Sequence, residues 1–378
     1  MRLIFEKLYK SNTYMHHRLL VLIVVFGCSD DTAPSDAGVD ARVDAAVDAT
    51  ADVFGLDVGT DAGFDAEFTR ADARVDLPLD DVLRLNHLQV EGTHNSYHVQ
   101  PRADIPDWRY THAPLDEQLE SQGVRAFELD TYFDADLGVW EVFHIATLDE
   151  ETTCATLLEC LAAIRHWSDA HVNHHPIFIQ IEPKDFFDEA NNDDVMAAME
   201  DEIRFVFPEE LIVTPDFVRG EGASLREVVT TTGWPTLGEV RGRVLFFLNC
   251  AREWCVHYAN RGTGLEGRLI FADANADDPW AAVRILNGGG AAARAAVEAG
   301  FIVRSRAISM PAALEQTGEQ LDTELASVLA TGAHIVSTDV PIAREDVARF
   351  VEMPGGNPSR CNPVTAPVEC TAAALEDL

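Results

Sequence analysis

Positive charge is what this sequence has least of. Lys and Arg together number 28 against 64 Asp and Glu, a formal net charge of −36 over 378 residues. Phosphate backbones are gripped by an excess of Lys and Arg, so nucleic acid is excluded as a partner. A broad basic face for docking on anionic lipid is excluded on the same ground. Membrane-length apolar runs are missing as well. The uninterrupted run Leu19–Gly27 is too short to cross a bilayer as a helix. No Lys-Ser/Thr follows Gly288-Gly289-Gly290, which removes the P-loop reading of that stretch and leaves a turn. What remains is an ordinary globular composition, 47% hydrophobic, long enough to build one barrel-sized core. A divalent cation suits so acidic a chain, because it turns a carboxylate cluster into a site for an anionic substrate.

The N-terminus has the pattern of an export signal. Arg2, Lys7, Lys10 and Arg18 precede the apolar run, which ends at Val25-Phe26-Gly27-Cys28. Gly27 followed by Cys28 resembles the bacterial lipoprotein cleavage box, so residues 1–27 are expected to be removed and Cys28 to carry lipid. The protein is then an exported, membrane-anchored lipoprotein at the outer membrane or cell surface, and a monomer. Setting Cys28 aside from seven cysteines leaves six, an even number in an oxidising compartment. Six allow fifteen pairings, of which Cys154–Cys160, Cys250–Cys255 and Cys361–Cys370 is the simplest set. From residue 28 to 81 Asp recurs at 36, 40, 44, 48, 52, 57, 61 and 65 among Ala, Gly, Val and Thr. Like charges with little to bury predict a disordered tether.

The folded domain is expected over 82–378. Eight apolar runs have strand character: His87–Thr93, Val124–Asp130, Val139–His144, Ile177–Glu182, Val244–Asn249, Leu269–Asp273, Phe301–Arg304 and His334–Asp339. Amphipathic stretches such as Leu115–Gly123, Thr153–Ala170 and Asp193–Phe207 lie between them. Alternating strands and helices imply parallel pairing, and eight strands in this length predict an α/β fold, a (β/α)8 TIM-type barrel; an open doubly wound sheet is the alternative. Nearly every run ends in a polar side chain: His94 with Asn95, Glu128 with Asp130, His144, Glu182 with Lys184, Asn249, Asp273, Arg304 with Arg306, and Asp339. In such barrels those ends form one rim, where catalytic groups gather.

Glu128 and Asp130 stand two apart on one strand and so face the same way. With Glu182 and Asn95 they make an all-oxygen set suited to calcium, less to magnesium, and without the His or Cys of a zinc site. His94 and His144 are a pair able to take up and give back protons near neutral pH. Lys184, Arg304 and Arg306 are candidates to hold a phosphate. His171, His174 and His175 precede the fourth strand, at the opposite barrel end, and are read as loop residues without a metal. Trp108, Tyr110 and Trp140 are candidates for the entrance or for packing.

Gly92-Thr93-His94-Asn95-Ser96-Tyr97, then Leu115-x-x-Gln118-Leu119 and Gly123-Val124-Arg125-Ala126-Phe127-Glu128-Leu129-Asp130, resemble the phosphatidylinositol-specific phospholipase C superfamily. Asn95 after the histidine is similar to its calcium-dependent branch. Ile181-Glu182-Pro183-Lys184, Val303-Arg304-Ser305-Arg306, Ser337-Thr338-Asp339-Val340-Pro341 and the tail from Arg360 to Cys370 extend the likeness over about residues 86–371. The resemblance implies a phospholipase-C-like phosphodiesterase barrel with one calcium ion on Asn95, Glu128, Asp130 and Glu182. It implies His94 and His144 flanking the phosphate, Lys184 and Arg304 on the substrate's phosphates, and a phosphoinositide substrate at a membrane surface. Attack by the inositol 2-hydroxyl would release diacylglycerol and a cyclic inositol phosphate. A glycerophosphodiester phosphodiesterase shares the barrel and the Glu-x-Asp pair but usually carries His-Arg-Gly where this chain has His-Asn-Ser. A non-catalytic ligand-binding lipoprotein is the third reading.

Overall fold

The computed structural model describes residues 75–102, 104–185, 192–356 and 358–376. The export signal, Cys28 and nearly all of the Asp-rich tether lie outside the described residues. Eight parallel strands form the sheet: β1 (Leu88–Thr93), β2 (Ala126–Asp134), β4 (Ile177–Pro183), β5 (Val244–Leu248), β6 (Phe271–Ala272), β7 (Val283–Ile285), β8 (Ile302–Arg306) and β9 (Ile335–Thr338). Their spatial order is β6-β5-β4-β2-β1-β9-β8-β7. The two ends of that order approach each other, and Asp273 Oδ1 accepts the backbone N–H of Ile285 at 3.0 Å across the seam. The result is a nearly closed barrel, not an open doubly wound sheet. Among the described residues no helix is long and apolar enough to cross a membrane.

Two strand assignments differ from the sequence reading. Val139–His144 is not a barrel strand: β3 (Val139–Val142) runs antiparallel to the outer half of β2, pairing Thr131 with Val142 and Asp134 with Val139. The turn between them is too short for a parallel crossover, which needs a dozen or more residues. Asp134 Oδ1 closes that turn by accepting from the N–H of Asp136 (2.8 Å) and Leu137 (3.1 Å). The eighth barrel strand is instead β7, whose three residues with a central Arg284 carry no apolar run to read. A short β10 (Ser359–Cys361) also pairs antiparallel with β1 below its contact with β2.

Register decides which side chains face inward, since residues paired across a sheet share a face. Glu128 pairs with Gln180, Gln180 with Phe247, and Asp130 with Glu182. Gly92 pairs with Ala126 and with Ser337. A Cβ at Gly92 would lie 2.9 Å from Ala126 Cβ, so only glycine lets β1 approach its neighbours this closely. Outside the strands the amphipathic stretches form helices, including Leu115–Glu120, Leu157–Ala170 and Asn192–Val206. Leu157–Ala170 starts on a capping box: Glu159 N–H donates to Thr156 Oγ1 at 3.2 Å while the Glu159 carboxylate accepts from Thr156 N–H at 3.3 Å. Its Leu157, Leu161 and Ile164 pack into the core with Ile177, Ile179 and Ile181 of β4. Each such burial contributes about 1.5–3 kcal/mol. The three short-range disulfides form as expected, Cys154–Cys160, Cys250–Cys255 and Cys361–Cys370.

The barrel end away from the rim is closed by a polar latch. Arg125, buried and stacked over Trp167, donates through Nε to Glu376 Oε1 at 3.0 Å. Arg241 pairs with Asp80 at 2.6 Å and donates to the carbonyls of Ala374 and Leu375. His175 Nε2 lies 3.2 Å from Glu376, and burial pushes its imidazole down to about 4. His175 therefore belongs to this closure. Glu376→Ala would leave the Arg125 guanidinium buried without its carboxylate, and is expected to cost about 3–5 kcal/mol in denaturant unfolding.

Glu202 ties the hairpin to the helix Asn192–Val206 by accepting Trp140 N–H at 2.9 Å. Burial raises its carboxyl to about 7, against the opposing pull of that N–H. The folded state thus holds this proton more tightly than the unfolded chain. The contribution is complete below the unfolded value of about 4.5 and is lost as pH rises through about 7. Relative to wild type, Glu202→Gln is expected to flatten the fall in stability between pH 5 and 8 by about 2–3 kcal/mol, read from urea midpoints at each pH.

Candidate active site

The rim begins where β1 ends. His94 N–H donates to Thr338 O at 2.9 Å, and the chain then turns through Asn95 in the left-handed region (φ 45). Asn and Gly tolerate that conformation best. Ser96, which has no obvious role in the sequence, fixes the motif to the carboxylate strand: its N–H donates to Glu128 O at 2.9 Å, and its Oγ accepts Glu128 N–H at 2.8 Å. Gln118 braces the same turn, donating to Ser96 O at 2.7 Å and accepting from Thr93 Oγ1 at 2.8 Å. Burial of all these groups makes the turn rigid.

Glu128, Asp130 and Glu182 come together, with ligand oxygens all within 4.8 Å of one another. Arg304 donates to Glu128, and Lys184 pairs with both Glu182 and Asp130, the latter at 2.9 Å. Asn249 at the end of β5 donates to Glu182. Burial alone would raise the Glu128 carboxyl, but Arg304 and then His94 outweigh it and hold it low. At Asp130 burial wins and pushes the carboxyl well up, despite Lys184. Asp130 Oδ1 is buried without a hydrogen-bond partner. Three carboxylates against two cations, with a buried oxygen to spare, fit a hard divalent cation. Asn95, buried at the start of the same turn, is the fourth oxygen donor of the predicted set.

Two imidazoles stand over the rim, each held in the same manner. His94 Nδ1 meets Asp339 Oδ1 at 2.8 Å, and His144 Nδ1 meets Asp149 Oδ2 at 2.7 Å. The histidine side chains are 19% and 21% exposed, and both aspartates are fully buried. With Nδ1 engaged, Nε2 is the nitrogen each ring offers to solvent or substrate. Burial would raise Asp339, but the charge and hydrogen bond of His94, then Arg306, drive it far below the usual carboxylate range. Asp149 is likewise held low, the hydrogen bonds of His144 and His98 outweighing its burial. His144 follows β3 on the loop above the rim, not a barrel strand end. Asp149 went unnoticed in the sequence because nothing in His-Ile-Ala-Thr-Leu-Asp signals that the last residue turns back on the first.

The remaining predicted residues are placed as follows. Lys184 sits at the edge of the carboxylate cluster with its side chain 24% exposed. Arg304 is buried, donating also to Asn287 and Ser337. Arg306 Nη2 donates to Asp339 Oδ2 at 2.5 Å, behind His94. Asp273, another strand end, serves the barrel seam. Trp108 packs edge-on to His144 with ring centroids 5.7 Å apart, whereas Tyr110 and Trp140 are buried.

A family model described as Phosphoinositide phospholipase C, Ca2+-dependent, matches residues 83–141 and 138–363. No curated protein matches the chain. Among solved structures, the chain is similar to a calcium-dependent phosphoinositol-specific phospholipase C from a Gram-negative Pseudomonas sp. The two share 20% identity and a TM-score of 0.54, over 76% of this chain and 98% of that one. A Ca2+-dependent phosphatidylinositol-specific phospholipase C from Streptomyces antibioticus is 20% identical with a TM-score of 0.52, over 68% and 95%. These likenesses establish the shared barrel, and the family match spans most of the chain: this protein belongs to the calcium-dependent phosphoinositide phospholipase C family of enzymes.

Proposed function

We propose that the chain cleaves phosphatidylinositol or a related inositol phospholipid into diacylglycerol and a cyclic inositol phosphate, with His94 and His144 as the proton-transfer pair. The observation that carries this reading is the pair of imidazoles, each fixed through Nδ1 by a buried aspartate beside an all-oxygen donor cluster. His94 Nε2 takes the proton of the inositol 2-hydroxyl as that oxygen bonds to phosphorus. The bond from phosphorus to the diacylglycerol oxygen breaks, and His144 Nε2 delivers a proton to the departing oxygen. The assignment of the two roles follows their surroundings. His94 is close enough to Glu128 to lower its carboxyl, which puts it on the polar, cation-binding side. His144 lies against Trp108 on a loop exposing Ile145 and Leu148, apolar company suited to an acyl leaving group.

Asn95, Glu128, Asp130 and Glu182 would hold the calcium ion, which would supply positive charge for the phosphoryl transition state. Lys184, partly exposed beside that cluster, adds a second cation. Arg304 orients Glu128 from below, and Arg306 keeps Asp339 ionised beneath His94. Water in place of the 2-hydroxyl would open the cyclic product by the reverse use of the same pair.

Lipid on Cys28 and the acidic tether would keep this barrel at a membrane of the exporting cell, reaching outward on about 50 residues. The motif Val25-Phe26-Gly27-Cys28 supports that placement. Cys28→Ser is expected to move the enzyme from the membrane pellet to the soluble fraction without loss of specific activity. Retention in the pellet would count against lipidation.

Purified protein should release a water-soluble inositol phosphate from phosphatidylinositol vesicles with calcium and not with chelator. Cleavage of glycerophosphocholine alone would contradict the reading. His94→Ala should lower kcat by about 10²–10⁴-fold and leave calcium affinity nearly unchanged in calorimetry. Asp130→Asn should weaken calcium first. Equal loss of calcium in both variants would overturn the division of roles.

A further inference from the structure

One buried histidine of the opening motif remains without a part in this chemistry. His98 is fully buried four residues after His94. Its Nδ1 lies 2.9 Å from the carbonyl oxygen of Tyr110, and its Nε2 lies 3.1 Å from each carboxylate oxygen of Asp149. Asp149 in turn meets His144 Nδ1. The ring stacks on Tyr110 with centroids 4.3 Å apart, and its backbone is pinned by His112 N–H on His98 O at 2.9 Å and by a β-bridge to Thr152. His98 is thus part of the rigid motif, while Asp149 belongs to the rim loop that exposes Ile145 and Leu148.

The geometry points to His98 as a positioning residue for the reaction, the fixed end of a buried chain His98–Asp149–His144 that sets the orientation and charge environment of the second imidazole. Both neighbours of the His98 ring are acceptors, and a ring N–H aimed at Asp149 holds that carboxylate from the side opposite His144. A ring held at both nitrogens cannot turn, so it fixes the carboxylate of Asp149 in one place. His144 therefore takes its orientation from a carboxylate that His98 already holds in place. The other imidazole has the same arrangement, with Arg306 in the place of His98 behind Asp339. The groups facing the His144 ring are Asp149 and, beyond it, His98. Trp108 meets it edge-on, and the hydroxyl of Tyr132 donates to the His144 carbonyl at 3.0 Å.

Loss of the His98 ring leaves the Asp149 carboxylate to His144 alone, which strengthens its hold on the His144 N–H. This inference rests on the proposed role of His144 as the proton donor, and the test separates the two. In the calcium-loaded enzyme, His98→Gln is expected to lower kcat by about 10- to 100-fold with KM nearly unchanged. The basic limb of its pH–rate profile should move up by about one pH unit, because that limb reports the group that must be protonated. A merely structural role would lower the folded fraction and leave the limb where it was. His98→Asn, with near-UV circular dichroism to confirm folding, guards against a variant that fails for other reasons. In the wild-type protein, ring-nitrogen NMR should find His98 Nε2 carrying a hydrogen-bonded proton toward Asp149; a bare Nε2 would overturn the inference without any variant. His144→Ala in the same assay tests the underlying reading. Full activity there would sink the acid role itself. A dead His144→Ala alongside folded His98 variants with unchanged kcat and basic limb would sink only the part given to His98.

Discussion

Each rim imidazole is gripped at Nδ1 by a buried aspartate, and the rest of the site depends on that grip. A histidine on a rim is free to rotate and to present either nitrogen; a carboxylate at 2.7–2.8 Å removes both freedoms. The aspartates themselves must then be kept ionised while buried, which costs heavily unless a cation is within reach. Arg306 meets that need at Asp339, while at Asp149 the carboxylate is hydrogen-bonded by the imidazoles of both His98 and His144. The barrel makes these meetings available: Asp339 lies just beyond β9, beside β1, and Arg306 ends β8, next in the ring.

The same balance governs the carboxylate cluster. In a chain with a net charge of −36 the cations of the rim are not spare. Lys184, Arg304 and Arg306 are all engaged with carboxylates of the site. The excess of negative charge that remains among buried Glu128 and Asp130 and partly exposed Glu182 is local, which makes it a place for a divalent cation and not a general property of an acidic surface. That distinction also reconciles the acidic chain with an anionic lipid substrate, since a cation bound there would set positive charge where a phosphate would sit.

Much of this was legible in the sequence, for reasons that are local. Glu128 and Asp130 are two apart on one strand, so their shared face follows from the strand period alone. The apolar runs ending at Thr93, Glu182 and Asn249 announced strand ends, and the short-range cysteine pairs needed only proximity along the chain. Long-range partnerships were not legible. His94 and Asp339 are 245 positions apart, and nothing but the closed barrel joins them. Arg304 and Arg306 read as phosphate ligands because their type and place suit that task; the fold surrounds them with buried carboxylates. Val139–His144 has the composition of a barrel strand, yet the tight turn at Asp134 makes it the second arm of a hairpin. β7 was missed because three residues with a central arginine carry no pattern, and its place is secured by Asp273 on the neighbouring strand.

On this reading two aspartate-held imidazoles would present Nε2 to one phosphate beside a calcium ion on an oxygen cluster. A crystal structure of the protein grown with calcium and a cyclic inositol phosphate tests it most directly. Calcium is expected on Glu128, Asp130 and Glu182, with Nε2 of both His94 and His144 within hydrogen-bond distance of phosphate oxygens. Calcium bound elsewhere, or a phosphate touched by neither Nε2, would contradict it.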